Sequence, residues 1–174
     1  LSIFLSTAIH NNNMQKVSYG SKAKIWQFFG CELLTIGLGF LSGLLSGSMN
    51  GYDGINMPSF SPPSQIFAPV WTIMFFLMGW SLFLTISHPK TVLQKASLVL
   101  WCVQFALALI WPFIFFNVDK TVAFVINCFL TATVVALITL NFAVNKTSAW
   151  LLVPYVLWLI FASLQTLAII ILNA

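Results

Sequence analysis

Few side chains in these 174 residues could move protons or hold a metal, and they are scattered. The acids are Glu32, Asp53 and Asp119, the histidines His10 and His88, and the cysteines Cys31, Cys102 and Cys128. Asp53 and Asp119 share no helix face, and no Ser/His/Asp or Cys/His arrangement occurs, so no catalytic constellation is expected. There is no CxxC and no Cys/His cluster at metal spacing. The cysteines all sit in apolar runs and read as small packing residues. His88 falls in a short turn, far from the proposed binding mouth, and reads as a solvated loop residue. The chain offers apolar recognition instead. Residues 58–71, PSFSPPSQIFAPVW, place four prolines and three aromatics directly before an uncharged apolar run. Proline fixes φ and restricts the residue before it, so this loop is stiff. Its aromatics supply flat apolar surface with few rotamers to freeze. A stiff aromatic lid over a helix mouth points to a binding site at that mouth.

The elements that would position such a lid follow from composition. The chain is 60% hydrophobic, 16% aromatic and 6% charged, with a mean hydropathy of +0.98. A soluble domain carries about a quarter charged residues, so this is a polytopic membrane protein. Five segments are long and apolar enough to span, approximately 25–48, 66–87, 92–114, 121–143 and 149–172. The expected fold is an all-α integral membrane bundle of five transmembrane helices, one domain over residues 25–173 behind an N-terminal tail, 1–24. Residues 1–9 are too short to span and lack the basic flank of a signal peptide. Met14 or a nearby position is expected as the true start, which would put residues 1–13, and His10 with them, outside the native protein.

The formal charge of +4 comes from seven lysines with no arginine, which reports topology and not nucleic-acid binding. Lys16, Lys22, Lys24, Lys90, Lys95 and Lys146 fall on one side of the membrane and Lys120 on the other. The N-terminus is therefore expected inside and the C-terminus outside. Gly39, Gly43 and Gly47 form a ridge on helix 1 that serves intramolecular packing or a dimer seam. Pro112 and Pro154 lie inside spans and are expected to face protein. Glu32, about two turns into helix 1, is a functional candidate as an intramembrane acid, or it snorkels toward Lys24 or water.

Several motifs now fall in order. They are GFLSG (39–43), Tyr52, MPSFSPP (57–63), FAPVW (67–71), MGW (78–80), QFALALIWPFIFF (104–116) and AWLLVPYVLWLIFAS (149–163). Together they resemble the TspO/MBR family, the bacterial tryptophan-rich sensory proteins and the mitochondrial translocator protein, over residues 39–173. The resemblance implies a five-helix bundle that binds one large flat hydrophobe, typically a porphyrin in bacterial members, under the helix 1–2 loop. It also implies homodimers and, for a bacterial-type member, the cytoplasmic membrane. The chain departs from the pattern at Gly51, where relatives often have Trp, and at Gln65, another common Trp. Ala108 replaces a frequent Asn, and Asn127 stands where some relatives carry an acid. A less polar pocket is expected. No Lys or Arg follows Lys146, so the vertebrate cholesterol motif is absent.

The ligand-binding residues implied are Tyr52, Phe67, Pro69, Trp71, Trp111, Tyr155, Trp158 and Ala162. Trp71, Trp111 and Trp158 form an aromatic wall for a tetrapyrrole, or anchor at the membrane interface. Trp26, Trp101 and Trp150 lie toward the lysine side and fit the anchor reading. The hydroxyls of Tyr52 and Tyr155 orient a polar ligand edge, or serve interfacial placement and a helix–helix hydrogen bond respectively. Asp53 reads as a turn residue. No metal and no required cofactor are expected; porphyrin enters as a ligand, and without a credible axial ligand the metal-free form fits better. Three functions are carried forward. The first is a membrane receptor or carrier for porphyrin-type hydrophobes, linked to tetrapyrrole handling or stress. The second is light-dependent oxidation of protoporphyrin at Trp71 and Trp158, needing no acid–base residues. The third is a transport subunit, disfavoured by the lack of an intramembrane charge pair.

Overall fold

The computed structural model describes the backbone of residues 2–48, 52 and 54–174, and the side chains among them from residue 22 onward. The side chains of His10, Met14 and Lys16, and all of Gly51 and Asp53, lie outside the described residues. Helix α1 runs Ser2–Leu45, α2 Phe67–Ile86, α3 Val92–Asn117, α4 Lys120–Val144, α5 Lys146–Leu151 and α6 Val153–Leu172. Five stretches of these are long and apolar enough to cross a membrane: Lys22–Leu45, Ser64–Ile86, Val92–Asn117, Lys120–Val144 and Lys146–Leu172. The protein is a multi-pass, five-span α-helical membrane protein.

Local chemistry sets the breaks. The Thr91 side chain caps α3 by accepting from the Gln94 amide, and Asp119 caps α4 by accepting from the Val122 amide. Asn145 ends α4 and caps α5 through the Ser148 amide at 3.0 Å. Such caps satisfy donors that have no partner inside the helix. Gly47, expected on the helix-1 ridge, instead lies past the end of α1 with φ +72°, a left-handed conformation that favours glycine.

The fifth span is two helices and not one. It breaks at Leu152, and Pro154 falls in the first turn of α6. A proline there gives up an amide that has no intrahelical partner anyway. Pro154 therefore needs no protein cover, and it is exposed, contrary to the expectation that it faces the bundle. Pro112 does lie inside α3. Nearby, the Ser42 hydroxyl of α1 donates to the Leu109 carbonyl at 2.6 Å, tying the two helices beside the irregular turn.

Small polar side chains bind the end of the bundle that carries the α2–α3 turn. The hydroxyls of Ser81 and Ser148 are 2.7 Å apart, Thr85 is 2.9 Å from Ser148, and the Asn141 amide donates to Ser148 at 3.0 Å. The node joins α2, α4 and α5, and all four residues are buried. Lipid tails give little hydrophobic drive for helix association, so hydrogen bonds and close packing do this work. Trp26 and Trp150 are 75% and 62% exposed, as residues facing lipid at span ends would be. Trp101 is not an anchor: it is 3% exposed, stacks on Phe105 with centroids 4.9 Å apart, and donates its indole N–H to the Met78 carbonyl at 3.3 Å.

Candidate functional site

The loop between α1 and α2 is held down at three places. The Asn173 side chain, just past α6, accepts from the Asn56 amide and donates to the Asn56 carbonyl, both at 3.0 Å. Gln165 of α6 donates to Ser61 at 2.9 Å. At the α1 end, Asn117 donates to the Ser46 carbonyl at 2.9 Å. Pro63 precedes a single 3-10 turn, Ser64–Ile66, that feeds α2. Pro69 belongs to the first turn of α2, not to the loop, so its stiffening acts on the helix start.

Under this loop lies a cavity of about 570 Å³ between α1, α2 and α3. Its α1 wall has a gap at Gly43, with Gly39, Phe40 and Leu44 around it. The opposite wall is Trp71 and Phe75 of α2 with Trp111 of α3. The rings of Trp71 and Trp111 are 6.2 Å apart at 32°, and Trp71 and Phe75 are 5.7 Å apart at 31°. Trp111 is fixed by donating its N–H to the Ala123 carbonyl at 3.0 Å. At the loop end, Tyr52 stacks on Phe67 at 5.0 Å and meets Phe116 edge-on at 5.1 Å. Burial pushes the Tyr52 phenol above its ordinary range, so it stands in the cavity roof as a neutral hydroxyl. Polar lining gathers there, at Ser48, Ser64 and Gln65, while the deeper walls are apolar, with Ala108 among them, apart from Thr72, whose hydroxyl donates to the Ala68 carbonyl. The size and the contrast between apolar walls and a few polar groups suit a rigid hydrophobe of moderate size.

Of the residues expected to bind, Tyr52, Phe67, Trp71 and Trp111 line this cavity. Pro69, Tyr155, Trp158 and Ala162 do not. Tyr155 and Trp158 lie behind Trp71, with centroids 6.3 and 6.5 Å from it, in edge-on contact. Trp158 also packs on Phe67 and Phe161. Ala162 is buried on the same helix. The Tyr155 hydroxyl, the Trp158 indole N–H and both side-chain polar atoms of Gln104 are buried without a hydrogen-bond partner. Trp71 thus stands between the open cavity and the unpartnered Tyr155 and Trp158 groups.

The α1 wall was the part that sequence reasoning missed. Its signal was the glycine ridge, read as helix packing. Gly39 does pack: a Cβ there would strike the Phe75 ring. Gly43 does not, since the nearest atom to a Cβ is the Ser48 hydroxyl at 3.6 Å. One glycine brings the helices together and the next leaves space between them. Asn127, at a position where some relatives carry an acid, is structural: its amide donates to the Leu159 carbonyl at 3.0 Å and to Ser163 at 2.8 Å, joining α4 to α6. His88 lies in the α2–α3 turn at the far end of the bundle, and no cluster of three metal-binding side chains occurs among the described residues.

The sequence model of the TspO/MBR family matches residues 31–172. The tryptophan-rich protein TspO of Chlorobaculum tepidum is 36% identical over 124 residues, covering 70% of this chain and 78% of that one. The translocator protein of Sus scrofa is 31% identical over 72% of this chain and 77% of its own. The tryptophan-rich sensory protein of Cereibacter sphaeroides is 27% identical over 76% of this chain and 83% of its own.

Proposed function

The chain belongs to the TspO/MBR family, and on that premise we propose that it is a membrane receptor or carrier for porphyrin-type ligands. The ligand lies in the α1–α2–α3 cavity under the helix 1–2 loop. The observation that carries this reading is the pair of indole rings, Trp71 and Trp111, facing a cavity of about 570 Å³ whose α1 side is opened by Gly43 between Phe40 and Leu44. A flat macrocycle gains stacking on those rings beyond simple area burial. Tyr52 and Gln65 at the roof are placed to meet its polar edge. The orphaned Tyr155 and Trp158 groups behind Trp71 become reachable where that ring turns. The role in the cell is tetrapyrrole handling or stress sensing. The membrane is the bacterial cytoplasmic membrane, with the lysine-rich end inside and the cavity mouth outside. The functional unit is a homodimer.

The test is a titration of bilayer-reconstituted protein with protoporphyrin IX, in dark and in light, following Trp emission and pigment absorbance. Saturable quenching in the dark with stable absorbance supports a receptor. Loss of pigment absorbance only in light and only with protein present supports the photo-oxidative reading, with Trp71 as the exposed oxidisable ring. No saturable quenching in either condition refutes porphyrin as the ligand.

A further inference from the structure

Glu32 does not snorkel. Its side chain is 7% exposed, and neither carboxyl oxygen has a hydrogen-bond partner. Lys24 is eight residues away, roughly 12 Å along the helix, and the carboxyl turns instead toward α2. It fills the notch made by Gly79. A Cβ at that glycine would lie 2.6 Å from Glu32 Oε2 and 2.6 Å from Thr35 Oγ1. The Thr35 hydroxyl is committed to the Cys31 and Glu32 carbonyls, at 3.0 and 3.2 Å. Among the described residues, no other group offers a counter-charge. Helix α2, Phe67–Ile86, contains no Asp, Glu, Lys, Arg, His, Cys or Tyr. On α3, Lys95 and Cys102 are both exposed. Cys31 is buried beside Glu32 on α1, and Tyr155 shares its apolar cluster.

We propose that Glu32 in the Gly79 notch is an intramembrane proton-binding site that latches α1 onto α2. A carboxylate held in an apolar site without donors or a cation is strongly disfavoured, so the seated side chain carries its proton. Loss of that proton drives the carboxyl out of the notch toward water, and α1 loosens from α2. The same seam continues from Glu32–Gly79 to Gly39–Phe75 and then to the cavity wall at Phe40 and Gly43. Protonation of Glu32 therefore keeps closed the helix pair that borders the ligand cavity. The inference does not depend on what the cavity binds.

Two ligand-free measurements on protein in lipid vesicles test it. Dicyclohexylcarbodiimide, which attacks protonated carboxyls in apolar surroundings, should modify Glu32 at neutral pH, with less modification as pH rises. Absence of modification, or modification unaffected by pH, overturns the proton site. The native Cys31 then reports the latch. Its reaction with N-ethylmaleimide is followed by peptide mass spectrometry in wild type and Glu32→Gln, with Cys102 and Cys128 as internal references. A carboxylate beside Cys31 can only disfavour its thiolate, so a rise in the ratio of wild type to Glu32→Gln reports exposure and not thiol chemistry. That ratio should rise at least fivefold from pH 6 to pH 9 at Cys31 and stay flat at the references. A flat ratio at Cys31 overturns the latch. Gly79→Ala supplies a second check, because its methyl would collide with both the Glu32 carboxyl and the Thr35 hydroxyl that fill the notch. Cys31 in that variant should react rapidly at pH 6 already; protection equal to wild type would contradict the notch.

Discussion

Two glycines four residues apart on one helix should respond in opposite ways to the same substitution. At Gly39 a new side chain must displace the Phe75 ring, which is itself wedged edge-on against Phe105 with centroids 6.3 Å apart. Overpacking of this kind costs about 1–3 kcal/mol. For a chain of this length, 2 kcal/mol corresponds to a fall in Tm of roughly 4–8 °C. At Gly43 the Cβ of a leucine meets only the Ser48 hydroxyl, at 3.6 Å, and the rest of the side chain enters open cavity. Gly43→Leu should leave Tm unchanged or slightly raised, since it also removes a glycine from the last turn of α1, worth at most about 1 kcal/mol. It should nevertheless weaken protoporphyrin at least tenfold, about 1.4 kcal/mol, because ligand and side chain compete for one space. The assays are thermal melting of reconstituted protein without ligand, and dark titration by Trp quenching. If Gly43→Leu melts as low as Gly39→Leu, the space beside Gly43 is not open. If it binds pigment as wild type does, the ligand lies elsewhere.

Other positions give sharp outcomes. Ser148→Ala removes the centre of the Ser81–Thr85–Asn141 node and leaves the buried Asn141 amide unpaired, while Ser81 and Thr85 keep backbone acceptors, which should cost about 1–3 kcal/mol in thermal stability. Asn173→Ala removes one of the two ties between the loop and the α6 end, leaving Gln165–Ser61; ligand dissociation should speed up several-fold while ligand-free Tm stays within a degree or two, as expected for two exposed hydrogen bonds. Trp71→Phe should weaken porphyrin by about 1 kcal/mol, and Trp26→Phe, at the opposite end, should not. The Asp119 carboxyl is held below its ordinary range chiefly by the Val122 amide it accepts. Its cap is therefore present above the usual carboxylate range and is lost as pH falls through the lowered value. The protection of the Val122 amide, its exchange rate relative to the intrinsic rate at each pH, should fall with acid in wild type and not in Asp119→Asn, which keeps a capping oxygen without the titration.

Much of this architecture was written in the composition. Spans announce themselves as long apolar runs, and turn chemistry at Asn145 and Asp119 marks their ends. The aromatic cluster was legible too, because Tyr52, Phe67, Trp71 and Trp111 sit in ordered motifs. Depth was not legible. Trp101 and Trp150 look alike in sequence, yet one is core and one faces lipid, because that difference depends on how each helix is rotated in the bundle. The same holds for Trp158 and Ala162: spacing put them on one face of α6, but whether that face meets the cavity or the back of Trp71 depends on ring packing. The glycine ridge hid the α1 wall for a related reason. A missing side chain either closes a gap or leaves one, and only the neighbour, Phe75 or nothing, decides. Glu32 looked able to reach Lys24 or water until Gly79 was seen to receive it.

The most direct measurement is an experimental structure of the bilayer-embedded protein with protoporphyrin IX. The account predicts the macrocycle against Trp71 and Trp111, between α1 and α2–α3, with Tyr52 at its polar edge. A pigment bound on the lipid-facing surface, with the space beside Gly43 still open, would contradict it.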